Sequence, residues 1–128
     1  MVDVCGDANW QHLIPGIENI DYCGIDISPT VLRKARVRHD DKPFMSLKEL
    51  DIVTDELPRA DCFLLKDVLQ HLPLELGCRA LANVRDSGAP YVLVTSFPAS
   101  SGGRNVKKRA GHFYKNDVSG RPSHYRSL

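Results

Sequence analysis

The sequence predicts an α/β domain built on a doubly wound, mostly parallel sheet with strand order 3-2-1-4-5. Three observations carry the prediction. The first 26 residues read as an apolar strand, a tight polar turn, a short helix and a second apolar strand closed by an acid. Strand and helix patterns then alternate along the chain as β-α-β-α-β-loop-β-α-β. The run Cys62-Phe63-Leu64-Leu65 is apolar throughout, as in a strand buried on both faces of a parallel sheet.

The first strand is Met1 to Val4, and the turn Cys5-Gly6-Asp7-Ala8-Asn9 follows it. Asp7 is placed to cap a short helix whose apolar face is Trp10, Leu13 and Ile14, ended by Pro15-Gly16. Trp10 is read as packing on the sheet, with stacking on a ligand as its other reading. Asp21 to Ile27 is the second strand. Ser28-Pro29 opens the next helix, with the serine at the N-cap and the proline at the first helical position. Val31, Leu32, Ala35 and Arg36 share one face of it, and Arg33, Lys34 and Arg38 point outward. The basic run through His39 complements the helix dipole at its C-terminus, which accounts for those charges without a nucleic-acid partner.

Phe44 to Leu50 contains the third strand, leading to Asp51-Ile52. After the polar loop and Cys62–Leu65 comes the stretch KDVLQHLP, then a helix from about Leu74 to Asp86 with Leu74, Cys78, Leu81, Ala82 and Val84/Arg85 on its face. Ser87-Gly88 stops that helix, and Tyr91 to Ser96 is the fifth strand. As an apolar sheet edge it would be unprotected. A homo-oligomer joined at that edge or by the C-terminal tail is therefore expected.

The remainder is rich in Ser, Gly, Arg and Lys without periodicity, so residues 1–98 read as the core and 99–128 as a basic extension of the same domain. Arg104, Lys107, Lys108 and Arg109 form a local cationic cluster, read either as a solvated tail or as a contact for phosphate or a partner.

At 128 residues the chain has the size of one domain, and a net charge of +1 points to neither nucleic acid nor a membrane surface. No apolar run is long enough to span a bilayer and no signal peptide is read, so a cytoplasmic protein is expected. Cys5, Cys23, Cys62 and Cys78 include no C-x-x-C pair, so neither a metal site nor a disulfide framework is expected.

The turn at Gly6 lets the backbone approach a ligand closely, and Asp26, twenty positions on, is an acid able to accept from both hydroxyls of a ribose. The ligand crevice then lies at the carboxyl ends of the strands, above Gly6 and Lys66-Asp67, where the strand order reverses.

Four segments together resemble the class I S-adenosylmethionine-dependent methyltransferases, a Rossmann-like family. They are VDVCGD, YCGIDISP, LDIVTDELP and KDVLQHLP, in the family's order and spacing. The resemblance covers about Val2 to Pro98, and Asn105, GHFY and Asp117 resemble the segment after strand five in one subgroup. It implies S-adenosylmethionine as cofactor and a small-molecule acceptor. By the same resemblance, Asp26 with Ile27 beside it would hold the ribose, and Asp51 would accept from the adenine amino group. The NH of Ile52 would donate to a ring nitrogen. Gly6, with Asp3 and Cys5 beside it, would give backbone approach, and Lys66 and Asp67 would line the methionine end. No catalytic residue follows from these motifs. His71 is the one candidate general base, with a loop-fixing hydrogen bond as its other reading.

Compared with the family, the first motif is short of glycine. Either a residue is missing, which would shift the turn against its strand, or Cys5 replaces a glycine at positive φ at a cost of about 1–2 kcal/mol. The chain reads as a short or truncated member, without the antiparallel strand pair that usually follows strand five. Two functions are carried forward: a small-molecule methyltransferase or its cofactor-binding core, and a non-catalytic module that oligomerises or binds a partner. A nicotinamide-dependent oxidoreductase is third, disfavoured by the missing G-x-G-x-x-G.

Overall fold

The computed structural model describes residues 1–105 and 111–119. Its sheet has five strands: β1 (Val2–Val4), β2 (Tyr22–Asp26), β3 (Met45–Glu49), β4 (Cys62–Leu65) and β5 (Tyr91–Val94). They run parallel in the order β3-β2-β1-β4-β5, as the sequence predicts. Val2 pairs with Cys23 on one side and Phe63 on the other, so the reversal of strand order falls between β1 and β4.

Alternation along the strands builds two apolar layers. Val2, Ile25, Phe63 and Leu65 face the helix α2 (Leu74–Asp86) through its Ala80 and Val84. Cys5, Tyr22, Leu32 and Ala35 form the opposite layer under the helix α1 (Pro29–His39). Full burial of a side chain such as Phe63 contributes about 1.5–3 kcal/mol, and the two layers fix the register of the central strands.

Helix α1 starts as its sequence requires: Pro29 occupies the first turn, and the Ser28 hydroxyl accepts from the Val31 NH at 3.4 Å. Leu32, Ala35 and His39 are its buried residues, while Arg36 is exposed and its guanidinium donates to the Leu47 carbonyl at 3.1 Å. His39 therefore turns inward instead of merely complementing the dipole. Helix α2 is rotated from the expected face and buries Gly77, Ala80 and Val84. A β-carbon at Gly77 would meet Leu69 at an ordinary contact distance of 3.9 Å.

The first crossover differs most from expectation. Instead of a helix there are two 3₁₀ turns, Gln11–Leu13 and Ile17–Asn19. Ile14 is extended, as a residue before proline prefers, and Gly16 adopts φ 80°. Leu13 is 70% exposed, and the inward positions are Ala8, Gln11 and Ile17.

After β5 the chain folds back over the carboxyl edge. The NH of Phe97 donates to the Asn116 carbonyl at 2.7 Å, and that of Arg104 to the Lys115 carbonyl at 2.8 Å. Lys107, Lys108 and Arg109 of the basic cluster lie outside the described residues. Strand β5 is an edge, with Tyr91 68% and Leu93 57% exposed. Among the described residues, no helix is long and apolar enough to cross a membrane.

Candidate nucleoside site at the carboxyl edge

Asp26 ends β2, and its Oδ1 accepts the Ser28 NH at 2.8 Å. Asp51 follows β3, and its Oδ1 accepts the Val53 NH, also at 2.8 Å. This bond to the backbone two residues on is a local device of short acidic side chains, and it sets each carboxylate before any ligand arrives. The Leu50 NH donates to the Asp26 carbonyl at 3.1 Å, tying the two strand tips together. Asn83 of α2 donates to the carbonyls of Ile52 and Asp55 at 2.9 and 2.8 Å, which anchors the loop from below.

These bonds bring Asp26, Ile27, Asp51 and Ile52 to the wall of one cavity of about 340 Å³. Its remaining wall is mainly apolar, with Val4, Val68 and Leu72 among its residues and Arg79 as its cation. A mostly apolar pocket with a few converging polar groups is the usual form of a small-molecule site. Two carboxylates on such a wall select a ligand rich in donors, such as sugar hydroxyls and an amino group.

Asp3, Cys5, Gly6, Lys66 and Asp67 belong to the neighbouring region around the first turn. The Cys5 NH donates to the Ile25 carbonyl at 3.0 Å, so the parallel ladder continues through Cys5 in register. Positive φ falls on Gly6 (55°) and Ala8 (50°) and not on Cys5. The turn therefore neither flips the strand nor strains the cysteine, and its strain is carried by Ala8. The Cys5 thiol is buried against Gly24, where a β-carbon would lie only 2.7 Å from Sγ. Burial, followed by the charges of Asp3 and Asp26, pushes this thiol up to about 12.

Asp3 is fully buried beneath the turn. Its Oδ2 accepts from Gln11 Nε2 at 2.7 Å and from the Tyr22 hydroxyl at 2.8 Å, while Oδ1 has no partner among the described residues. Burial pushes its carboxyl above the usual range, against the lowering effects of Gln11, Tyr22 and the Lys66 charge. The Tyr22 phenol is pushed up as well, first by burial and then by Asp3. The last turn of α1 braces the loop from outside: Arg38 donates to the Asp7 carbonyl and His39 Nε2 to the Ala8 carbonyl, both at 2.7 Å.

Lys66 and Asp67 form an ion pair at 2.6 Å beyond the tip of β4, and the Lys66 bond holds the Asp67 carboxyl below its ordinary range. Asp67 has φ 58°, and its NH donates to Thr95 Oγ1 at 3.0 Å. Lys66 Nζ sits 5.7 Å from the centroid of the Trp10 ring, so Trp10 rises to the carboxyl edge. His71 is exposed: its carbonyl accepts the Gly111 NH at 3.2 Å and its ring tilts against Phe113 at 5.6 Å. Sequence reasoning missed Gln11, His39, Asn83 and Thr95. Their roles come from contacts 8 to 31 residues away, which no local pattern announces.

No protein-family model and no curated protein matches this chain. Solved structures do match. Human N-acetylserotonin methyltransferase in complex with S-adenosylmethionine superposes with a TM-score of 0.68 at 19% identity, over 93% of this chain and 38% of that one. Magnesium protoporphyrin IX methyltransferase from Synechocystis PCC 6803, with S-adenosylmethionine bound, gives 0.65 at 18% identity, over 92% and 52%. The [4+2]-cyclase SpnF gives 0.55 at 16% identity, over 65% and 32%. The fold is thus the one seen in class I S-adenosylmethionine-dependent methyltransferases. The chain spans about a third to a half of the length of these three proteins.

Proposed function

We propose that this chain is the S-adenosylmethionine-binding core of a methyltransferase acting on a small-molecule acceptor. The observation that carries the reading is the shared cavity of Asp26 and Asp51 at the tips of β2 and β3. Asp26 would accept from the ribose hydroxyls and Asp51 from the adenine amino group, with the Ile52 NH donating to a ring nitrogen. Gly6 would give backbone approach, Asp3 and Cys5 would support it from beneath, and Lys66 and Asp67 would line the methionine end. Structures with bound S-adenosylmethionine among the matches support that ligand.

When bound, S-adenosylmethionine supplies a methyl group already activated by a sulfonium. The chain's own residues then need mainly to bind, orient and exclude water. His71 is the candidate for taking the acceptor's proton. The fold alone does not name the reaction, since a cyclase shares it, so the residues of the cavity carry the assignment. Residues 1–98 form the core in this reading, with 99–128 as an extension of the same domain.

Calorimetry with S-adenosylmethionine, S-adenosylhomocysteine and NAD tests the reading. Heat from the first two alone is expected; heat from NAD alone, or silence from all three, refutes it.

The exposed Tyr91, Val92 and Leu93 on the edge strand favour a homo-oligomer joined along β5. Sedimentation at micromolar concentration should show a dimer or larger species, and monomer alone refutes that interface. The cytoplasm is the proposed compartment, consistent with Cys5, Cys23 and Cys62 as free thiols.

A further inference from the structure

We propose that Arg79 covers the face of the nucleobase, its guanidinium lying flat on a purine whose edge is held by Asp51 and Ile52. The inference deepens the cofactor reading and rests on a nucleoside lying in the cavity of Asp26 and Asp51.

Arg79 is an exposed residue in the middle of α2, and it lines the cavity of about 340 Å³ together with Asp51, Ile52 and Leu76. Its place along that wall follows from the helix, where residues three and four apart share a face. Leu76, one turn earlier, is also on the wall. Asn83, one turn later, donates to the Ile52 carbonyl at 2.9 Å. Arg79 therefore stands near the Asp51–Ile52 end of the cavity, where the base would lie.

The usual structural uses of a helical arginine do not account for it. Glu75 precedes it by four residues, the favourable spacing for an ion pair, yet no such pair joins them. Arg79 is also seven residues short of the end of α2, too far to complement the dipole at its C-terminus. It shares a wall with Asp26 and Asp51 and forms an ion pair with neither. Among the described residues its guanidinium has no hydrogen bond either. The cation at this cavity is thus unspent.

Asp51 and the Ile52 NH can meet only the edge of a base. Its two faces are left to the rest of the wall, where Val53, Leu72 and Leu76 are apolar. A guanidinium is planar and weakly hydrated, so it lies readily against an aromatic face where a lysine would not. Edge and face are then read by different residues. Asp51 senses the amino group, and Arg79 senses a flat ring whatever its substituents.

The test uses the full chain as wild type, Arg79→Met and Arg79→Lys. The probes are S-adenosylhomocysteine, adenosine, inosine and S-ribosylhomocysteine, the last of which has no base. Arg79→Met should weaken the three base-containing probes about tenfold alike and leave S-ribosylhomocysteine unchanged. Arg79→Lys should recover only part of that loss. In NMR spectra the Arg79 Nε–H resonance, identified by its absence from Arg79→Met, should move upfield on adding adenosine through the ring current of the base. S-ribosylhomocysteine should not move it.

Full affinity of Arg79→Met for adenosine overturns the proposal, as does an equal loss for the probe without a base. Full recovery in Arg79→Lys, or an Nε–H resonance that adenosine leaves in place, does the same. If wild type binds adenosine but not S-adenosylhomocysteine, the cofactor reading falls, and the adenosine and inosine measurements still decide the role of Arg79. If it binds neither, both fall.

Discussion

The two halves of the carboxyl edge are built on opposite principles. At the tips of β2 and β3, Asp26 and Asp51 are each set by a bond to a backbone NH two residues on, and both face the same cavity. At the tip of β1, the turn holds its shape through distant supports: Gln11 and Tyr22 on Asp3, Arg38 on Asp7 and His39 on Ala8. In the first half the carboxylates themselves are set locally, with Asn83 of α2 holding the loop beneath Asp51. The second depends on packing, with a non-glycine residue at positive φ and a buried carboxylate oxygen left unpaired among the described residues. A lesion in the first half should therefore appear in affinity and a lesion in the second in stability.

Asp26→Ala should have the largest effect on binding. Loss of two charge-assisted hydrogen bonds should weaken S-adenosylhomocysteine roughly a hundredfold by calorimetry. The bond to Ser28 should account for only about 1 kcal/mol of stability. If affinity is unchanged, the ribose is placed wrongly. Next comes Gly24→Ala, whose β-carbon would lie 2.7 Å from both Cys5 Sγ and Leu47 Cδ2. Overpacking of this kind costs about 1–3 kcal/mol, read from denaturant unfolding. Cys5→Ala in the same chain should restore part of the loss. Full stability in Gly24→Ala alone would mean that the thiol is free to move, and the contrast between the halves would fail.

The same division explains what could be read from sequence. Ser28-Pro29, the acids Asp26 and Asp51, and the strand order all follow from short-range patterns or from chain connectivity; the structure reproduces the helix start and the strand order and sets both acids on the wall of one cavity. The first crossover did not follow, because Pro15-Gly16 divides what looked like one amphipathic helix. The inner face of α2 is Gly77, Ala80 and Val84, so of the residues that the apolar pattern marks only Val84 is fully buried. The segment after β5 looked unstructured because its order comes from main-chain and amide bonds to Leu69, Gln70, His71 and Phe97. None of those partners is a neighbour in sequence.

Asp3→Asn is the subtlest probe of the packed half, because it keeps the shape and removes only the ability to ionise. Burial raises the Asp3 carboxyl above its ordinary value of 3.8 in the folded chain. Between that value and the raised folded value, the folded state binds more protons than the unfolded one. Its contribution to stability is therefore complete below about pH 4 and is lost as pH rises through the folded value. The amide introduced by Asp3→Asn carries no such dependence and can still accept from Gln11 and Tyr22. The variant should thus match or exceed wild type in stability at neutral pH, with the difference shrinking as pH falls toward about 4 in urea unfolding. A variant that loses stability most at neutral pH would show that the Asp3 charge is welcome where it lies. The turn would then rest on an ionised carboxylate, and its dependence on apolar packing would have to be given up.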